Sequence, residues 1–119
     1  SRFVDYSFAL PDVVADNASS AFFVVGGKGV APQDLDLGLE AVILSVNGQT
    51  VATATGAAVQ GHPAEALALA ANALAERGEF IEAGAIVLTG GMTDAVPISA
   101  GDHISAEFTK LGSLTVTAK

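Results

Sequence analysis

The sequence predicts an α+β domain made mostly of β-structure, and three observations carry that expectation. Asn47-Gly48 separates a β-branched apolar run from an alternating one. A second alternating pair lies near the end, with Ile104, Ala106 and Phe108 before Leu111-Gly112 and Leu114, Val116 and Ala118 after it. Only residues 63–78 combine helix-forming composition with helical spacing.

Taken in chain order, residues 21–25 read as a short apolar strand, bounded by Gly26-Gly27-Lys28-Gly29. Residues 41–46 and 49–55 form the first hairpin, because Asn-Gly accepts the positive φ angles of a type I′ turn, whose twist suits paired strands. Pro63 opens the main helix, since a proline at the first position costs no hydrogen bond. Gly78 closes it in the left-handed conformation. Its narrow stripe of Leu67, Ala70, Ala71 and Leu74 predicts a helix lying close against a sheet. Residues 85–89 read as a buried strand that Gly90-Gly91 breaks, and residues 104–108 and 114–118 as a half-buried hairpin. No linker, repeat or low-complexity tract divides the chain, so residues 1–119 are expected to form one domain. A chain of this length can withdraw roughly 65% of its unfolded surface from water.

Composition narrows the function. Five Lys and Arg stand against 13 Asp and Glu, a net charge of −8 that repels phosphate backbones and argues against nucleic acid. Zero cysteines removes disulfides, thiolate catalysis and cysteine zinc sites, which fits a reducing compartment, the cytoplasm by default. No apolar run reaches the ~20 residues of a membrane span. The chain opens on Ser1-Arg2 and its one methionine is Met92, so it is expected to be a piece of something larger.

Few local patterns carry chemistry. Asp16-Asn17-Ala18-Ser19-Ser20 packs small hydrogen-bonding residues into what is either a turn gathering hydroxyls and amides toward an anion or an ordinary Asx or Ser turn. Gly26-Gly27-Lys28-Gly29 lacks the order of a phosphate loop and no helix follows it. His62, at the helix entry, could accept from backbone amides or serve as a base, and His103 reads as a solvated strand residue. Asp34, Asp36 and Glu40 lack the glycine and terminal glutamate of a calcium loop and read as a surface strand or loop edge. The glycines of Gly90-Gly91-Met92-Thr93 could admit a ligand close to the backbone or simply form a bulge. No Ser-His-Asp or Cys-His set follows from local spacing.

Val14-Ala15-Asp16-Asn17-Ala18-Ser19-Ser20, Val25-Gly26-Gly27, Asn47-Gly48, Gly61-His62-Pro63, Leu88-Thr89-Gly90 and Leu111-Gly112-Ser113 occur in one order along nearly the whole chain. In this it resembles the C-terminal half of the 2-oxopent-4-enoate hydratases and 4-oxalocrotonate decarboxylases of the fumarylacetoacetate hydrolase superfamily. Residues 8–14 and Thr89-Gly90-Gly91-Met92-Thr93 look more like the decarboxylases. Departures lie at Ala21-Phe22-Phe23 and at Thr117-Ala118-Lys119.

The resemblance implies a mixed β roll with one main helix (63–78), contained in the C-terminal part of a larger catalytic domain. It implies a Mg²⁺-dependent lyase of aromatic meta-cleavage catabolism, which decarboxylates 4-oxalocrotonate to 2-hydroxypenta-2,4-dienoate through a metal-stabilised dienolate. The alternative is a hydratase adding water to 2-hydroxypenta-2,4-dienoate to give 4-hydroxy-2-oxopentanoate. From another class, a non-catalytic binding or assembly domain competes. The metal carboxylates and the general acid/base lysine fall upstream of Ser1, so Lys28, Lys110 and Lys119 inherit no role and the catalytic residues stay unassigned. Ser19 carries over as the residue that hydrogen-bonds the substrate, an unsaturated 2-oxo or 2-hydroxy acid, with Asp16 and Asn17 shaping its loop. The family implies a homo-oligomer and association with a related hydratase.

Overall fold

The computed structural model describes Phe3, residues 7–27 and residues 29–119. Ser1, Arg2 and Lys28, which the sequence reading invokes, lie outside the described residues. Among the described residues two α-helices and four strands follow in the order α1 (Leu10–Ala15), β1 (Ala41–Val46), β2 (Gln49–Thr55), α2 (Pro63–Ala75), β3 (His103–Phe108) and β4 (Ser113–Thr117). The strands form one antiparallel sheet of order β2-β1-β3-β4.

Both predicted hairpins form. Val46 faces Gln49 across the Asn47-Gly48 turn, where φ is 52° and 79°, as a type I′ turn requires. A bulge between Leu44 and Ser45 shifts the register of β1 against β2. β1 then pairs with β3, from Val42 opposite Phe108 to Val46 opposite Ile104.

Side chains pin that long-range pairing at both ends. At one end Glu40 Oε1 accepts from the Lys110 and Leu111 amides at 2.7 and 2.9 Å. At the other, Asn47 Nδ2 donates to Asp102 Oδ1 at 2.8 Å, and Asn47 Oδ1 accepts from the His103 amide at 2.9 Å. Glu40, expected at a surface edge, is instead only 4% exposed, because its carboxylate is the acceptor for the turn between β3 and β4.

The main helix runs Pro63–Ala75, with Gly78 at φ 73° and the Glu79 amide donating back to Leu74 O at 3.0 Å. It touches the sheet only sparsely, and none of its residues is buried, which corrects the expectation of close packing. Gly56 sits where an added Cβ would fall 1.8 Å from Leu37 O, so only glycine lets these two backbones meet.

Two expected strands are absent from the sheet. Residues 21–25 and 85–89 run without ladder partners, and Phe22 is 95% exposed, while Ile86 and Leu88 are each 62% exposed. A strand needs a neighbour for its row of N–H and C=O groups, and the described residues place none beside either segment. Helix α1 was not foreseen. Its six residues are held by Asp12, whose Oδ2 accepts from the Ala9 amide at 2.9 Å.

Glu40→Ala should destabilise the fold by about 2 kcal/mol, because two turn amides lose their acceptor. Glu40→Gln, which keeps an oxygen in place, should cost less than half of that. Urea unfolding midpoints measure both, and equal midpoints for wild type and Glu40→Ala would remove the clamp from the fold's energetics.

Candidate functional site: a left-handed turn and two separate hollows

The Asp16–Ser20 segment has an unusual backbone for its composition. Asn17, Ala18 and Ser19 have φ of 52°, 53° and 59°, a full left-handed turn without a single glycine. Each such residue costs roughly 1–2 kcal/mol relative to the right-handed form, less for Asn, whose short polar side chain bonds locally. The turn persists because its ends are tied. Ser19 N donates to Asp16 O at 2.9 Å, Ser20 N to Asn17 O at 3.0 Å, and Asn17 Nδ2 to Ser20 O at 3.3 Å. The Asp16 amide anchors the turn to α1 through Asp12 O at 2.8 Å.

The three predicted site residues therefore occupy one turn in different situations. Asp16 is 3% exposed, Asn17 is exposed and Ser19 is half-buried. The Asp16 backbone is bonded on both sides of the turn, its amide to Asp12 O and its carbonyl to the Ser19 amide. The amides of Asp16, Ser19 and Ser20 are all spent on backbone carbonyls, so what the turn can offer a ligand is its side chains.

Elsewhere, a hollow of about 610 Å³ lies between β2 and the loop after Gly90. Val51, Ala52 and Thr53 form one wall, with Ala58, and residues 91–96 the other. Its size suits a small ligand. Gly90, at φ 125°, takes a conformation that L side chains rarely adopt, and its nearest neighbour, Val59, stands at ordinary contact distance. A second hollow of about 440 Å³ separates residues 24–27 and Gly29 from β3, β4 and the turn between them. Neither hollow is lined by Asp16, Asn17 or Ser19.

The remaining candidates are structural. His62 caps α2, its Nδ1 accepting from the Ala64 amide at 3.1 Å. The His103 ring meets Thr117 Oγ1 at 2.9 Å on the exposed side of the sheet. Asp36 Oδ1 accepts from the Gly38 and Leu39 amides at 2.9 and 3.2 Å. Among the described residues no three His, Cys, Asp or Glu converge to hold a metal ion, and no helix is long and apolar enough to cross a membrane.

Residues 2–119 match the family model described as fumarylacetoacetate (FAA) hydrolase, C-terminal. The chain belongs to that family. Within it, the chain is 48% identical over 115 residues to the 4-oxalocrotonate decarboxylase of Pseudomonas sp. (strain CF600), covering 97% of this chain and 44% of the relative. It is 40% identical over 116 residues to the 2-hydroxyhexa-2,4-dienoate hydratase of Comamonas testosteroni, covering 98% and 44%. A solved structure, 4-oxalocrotonate decarboxylase from Pseudomonas putida G7 complexed with magnesium and adipate, superimposes with a TM-score of 0.93 at 44% identity. That match covers 100% of this chain and 45% of the other. The same enzyme complexed with calcium and acetate gives 0.85 at 46% identity, over 90% and 41%. This member of the FAA hydrolase family thus spans less than half the length of the curated relatives it matches.

Sequence reasoning missed the Asn47–Asp102 clasp, which joins residues far apart in the chain and leaves no local signal. The Ser99 amide, at 2.7 Å, and then Asn47 Nδ2 hold the Asp102 carboxyl below its ordinary value of 3.8, against a smaller opposing effect of desolvation. With the folded value depressed, the unfolded chain binds the proton more readily. The clasp's contribution is then complete above pH 3.8 and fades as pH falls through the lower folded value. Asp102→Asn should be less stable than wild type near neutrality, and the two melting temperatures should converge in acid below pH 3.8. Melting curves that stay parallel down to pH about 2 would show that Asp102 is not linked to folding.

Proposed function

We propose that this chain is the C-terminal part of a larger catalytic domain, in a cytoplasmic lyase that decarboxylates 4-oxalocrotonate to 2-hydroxypenta-2,4-dienoate. The observation that carries the reading is the 48% identity to a 4-oxalocrotonate decarboxylase across 97% of this chain, above the 40% to the hydratase of Comamonas testosteroni. The surface supports the larger domain. The chain exposes 8743 Å², whereas a compact protein of 11.8 kDa exposes about 5,900 Å². Among the described residues only Val42 and Val59 are buried hydrophobics, so most of the apolar surface, Phe22 to Val25 included, has no cover within this chain.

In the proposed reaction the bond to the distal carboxylate breaks, carbon dioxide leaves, and its electron pair moves into the conjugated chain toward the 2-oxo oxygen, which takes up a proton. Residues of this chain bind and orient. The Ser19 hydroxyl donates to a substrate carboxylate, and Asp16 and Asn17 hold the turn that presents it. The described residues do not fit a divalent ion, since no acidic or histidine cluster is present among them. Magnesium, bound by the neighbour that also holds adipate, is therefore given to acids upstream of Ser1. A saturated dicarboxylate such as adipate is the ligand class that the site is proposed to accept. The whole protein is further proposed to form a homo-oligomer and to associate with a related hydratase, the enzyme class that consumes the decarboxylation product.

A hydratase reading stays in view because relatives at 35–40% identity carry that name. The test assays the whole protein with magnesium on 4-oxalocrotonate and on 2-hydroxypenta-2,4-dienoate. Consumption of the first is expected, consumption of the second alone selects the hydratase, and turnover of neither leaves a non-catalytic assembly domain. Ser19→Ala should lower kcat/KM about ten- to a hundredfold, ~1.4–2.7 kcal/mol for one hydrogen bond to a charged group. An unchanged kcat/KM takes Ser19 out of the site.

A further inference from the structure

We infer that Asn17 and Ala18 are positioning residues, and that the left-handed turn they form holds the Ser19 hydroxyl in its working orientation at the expense of backbone strain. The inference rests on the reading of Ser19 and Asn17 given above and goes beyond it, by assigning a role to Ala18 and to the strain of the turn itself.

Three features lead to it. The strain falls where nothing in the covalent chain demands it: Ala18, at φ 53° and ψ 37°, has no side-chain polar group to offset a left-handed backbone. A glycine there would remove the cost, yet the sequence has alanine. The turn is also held at both ends, by the Asp16 O to Ser19 N bond and by Asn17 Nδ2 reaching Ser20 O at 3.3 Å, so residues 17–19 cannot relax independently. Finally, Ser19 itself lies at φ 59° inside the turn, between α1 and the extended segment that follows, so its backbone is fixed by the same bonds. A side chain with a Cβ narrows the backbone choices at position 18, and glycine widens them. Substitution by glycine should thus relieve strain and loosen the hydroxyl together.

The experiment uses the whole protein, with Ala18→Gly, Asn17→Gly, Ser19→Ala and each glycine variant combined with Ser19→Ala. Ala18→Gly should melt at the same temperature as wild type or higher, while kcat/KM on 4-oxalocrotonate falls about tenfold. In the Ser19→Ala background the same change should have no further effect, because there is no hydroxyl left to orient. Asn17→Gly keeps a backbone tolerant of positive φ but lacks the bond to Ser20 O, and should behave alike. Calorimetric titration with adipate in the presence of magnesium reads the same coupling without turnover, and should show the same loss and the same non-additivity. The inference is overturned if Ala18→Gly and Asn17→Gly leave both kcat/KM and adipate affinity unchanged, or if their losses add in full to that of Ser19→Ala. A wild type that turns over neither substrate but shows the non-additive adipate loss contradicts the lyase reading and upholds the turn's role. One that turns over nothing and binds no adipate overturns both.

Discussion

The pairing of β1 with β3 is the contact on which everything else in the structure hangs. It brings together segments separated by about half of the chain, so the entropy of closing that loop has to be recovered by the bonds along the seam. Backbone ladders supply most of them. Side chains supply the ends, with Glu40 gripping the amides of Lys110 and Leu111 and Asn47 gripping Asp102 and His103. Because β1 also carries β2 and β3 carries β4, the two hairpins are two halves of one sheet only while that central seam holds. Electrostatics reinforce it on one side, where two hydrogen bonds favour the ionised form of Asp102.

Around this seam the fold is open. Helix α2 leans on the sheet sparsely, residues 21–25 and 85–89 lie extended without partners, and the buried hydrophobics among the described residues are Val42 and Val59. Within this chain, polar clasps and a glycine contact, Gly56 against Leu37 O, join the strands to their flanking loops. The same economy shows at the candidate site. There the left-handed turn from Asn17 to Ser19 is tied by main-chain bonds and one amide side chain.

Much of this was legible from local chemistry. Asn47-Gly48 announced its turn because so few residue pairs accept two positive φ angles in sequence, and the alternation after Gly101 announced the second hairpin. Pro63 and Gly78 bracketed the helix, which stops slightly earlier, at Ala75, with Glu76 as its cap. What could not be read depended on partners distant in the chain. Glu40 looked like a surface acid because nothing near it in sequence reveals the amides of residues 110 and 111. Residues 85–89 have the composition of a buried strand, and composition cannot say whether a neighbouring strand is at hand. At the site, the residue types of Asp16–Ser20 pointed to a turn, but its left-handed sense at Ala18 has no compositional signal at all, since alanine is among the residues least expected there.

The physical claim at the centre is that this left-handed turn faces an acid ligand and offers it the Ser19 hydroxyl. A crystal structure of the whole protein with magnesium and a bound dicarboxylate measures that directly. The expected result is a Ser19 Oγ to carboxylate oxygen distance of about 2.5–3.0 Å with residues 17–19 still at positive φ. A ligand seated elsewhere, with the Ser19 hydroxyl bonded only to solvent or to its own backbone, would contradict it.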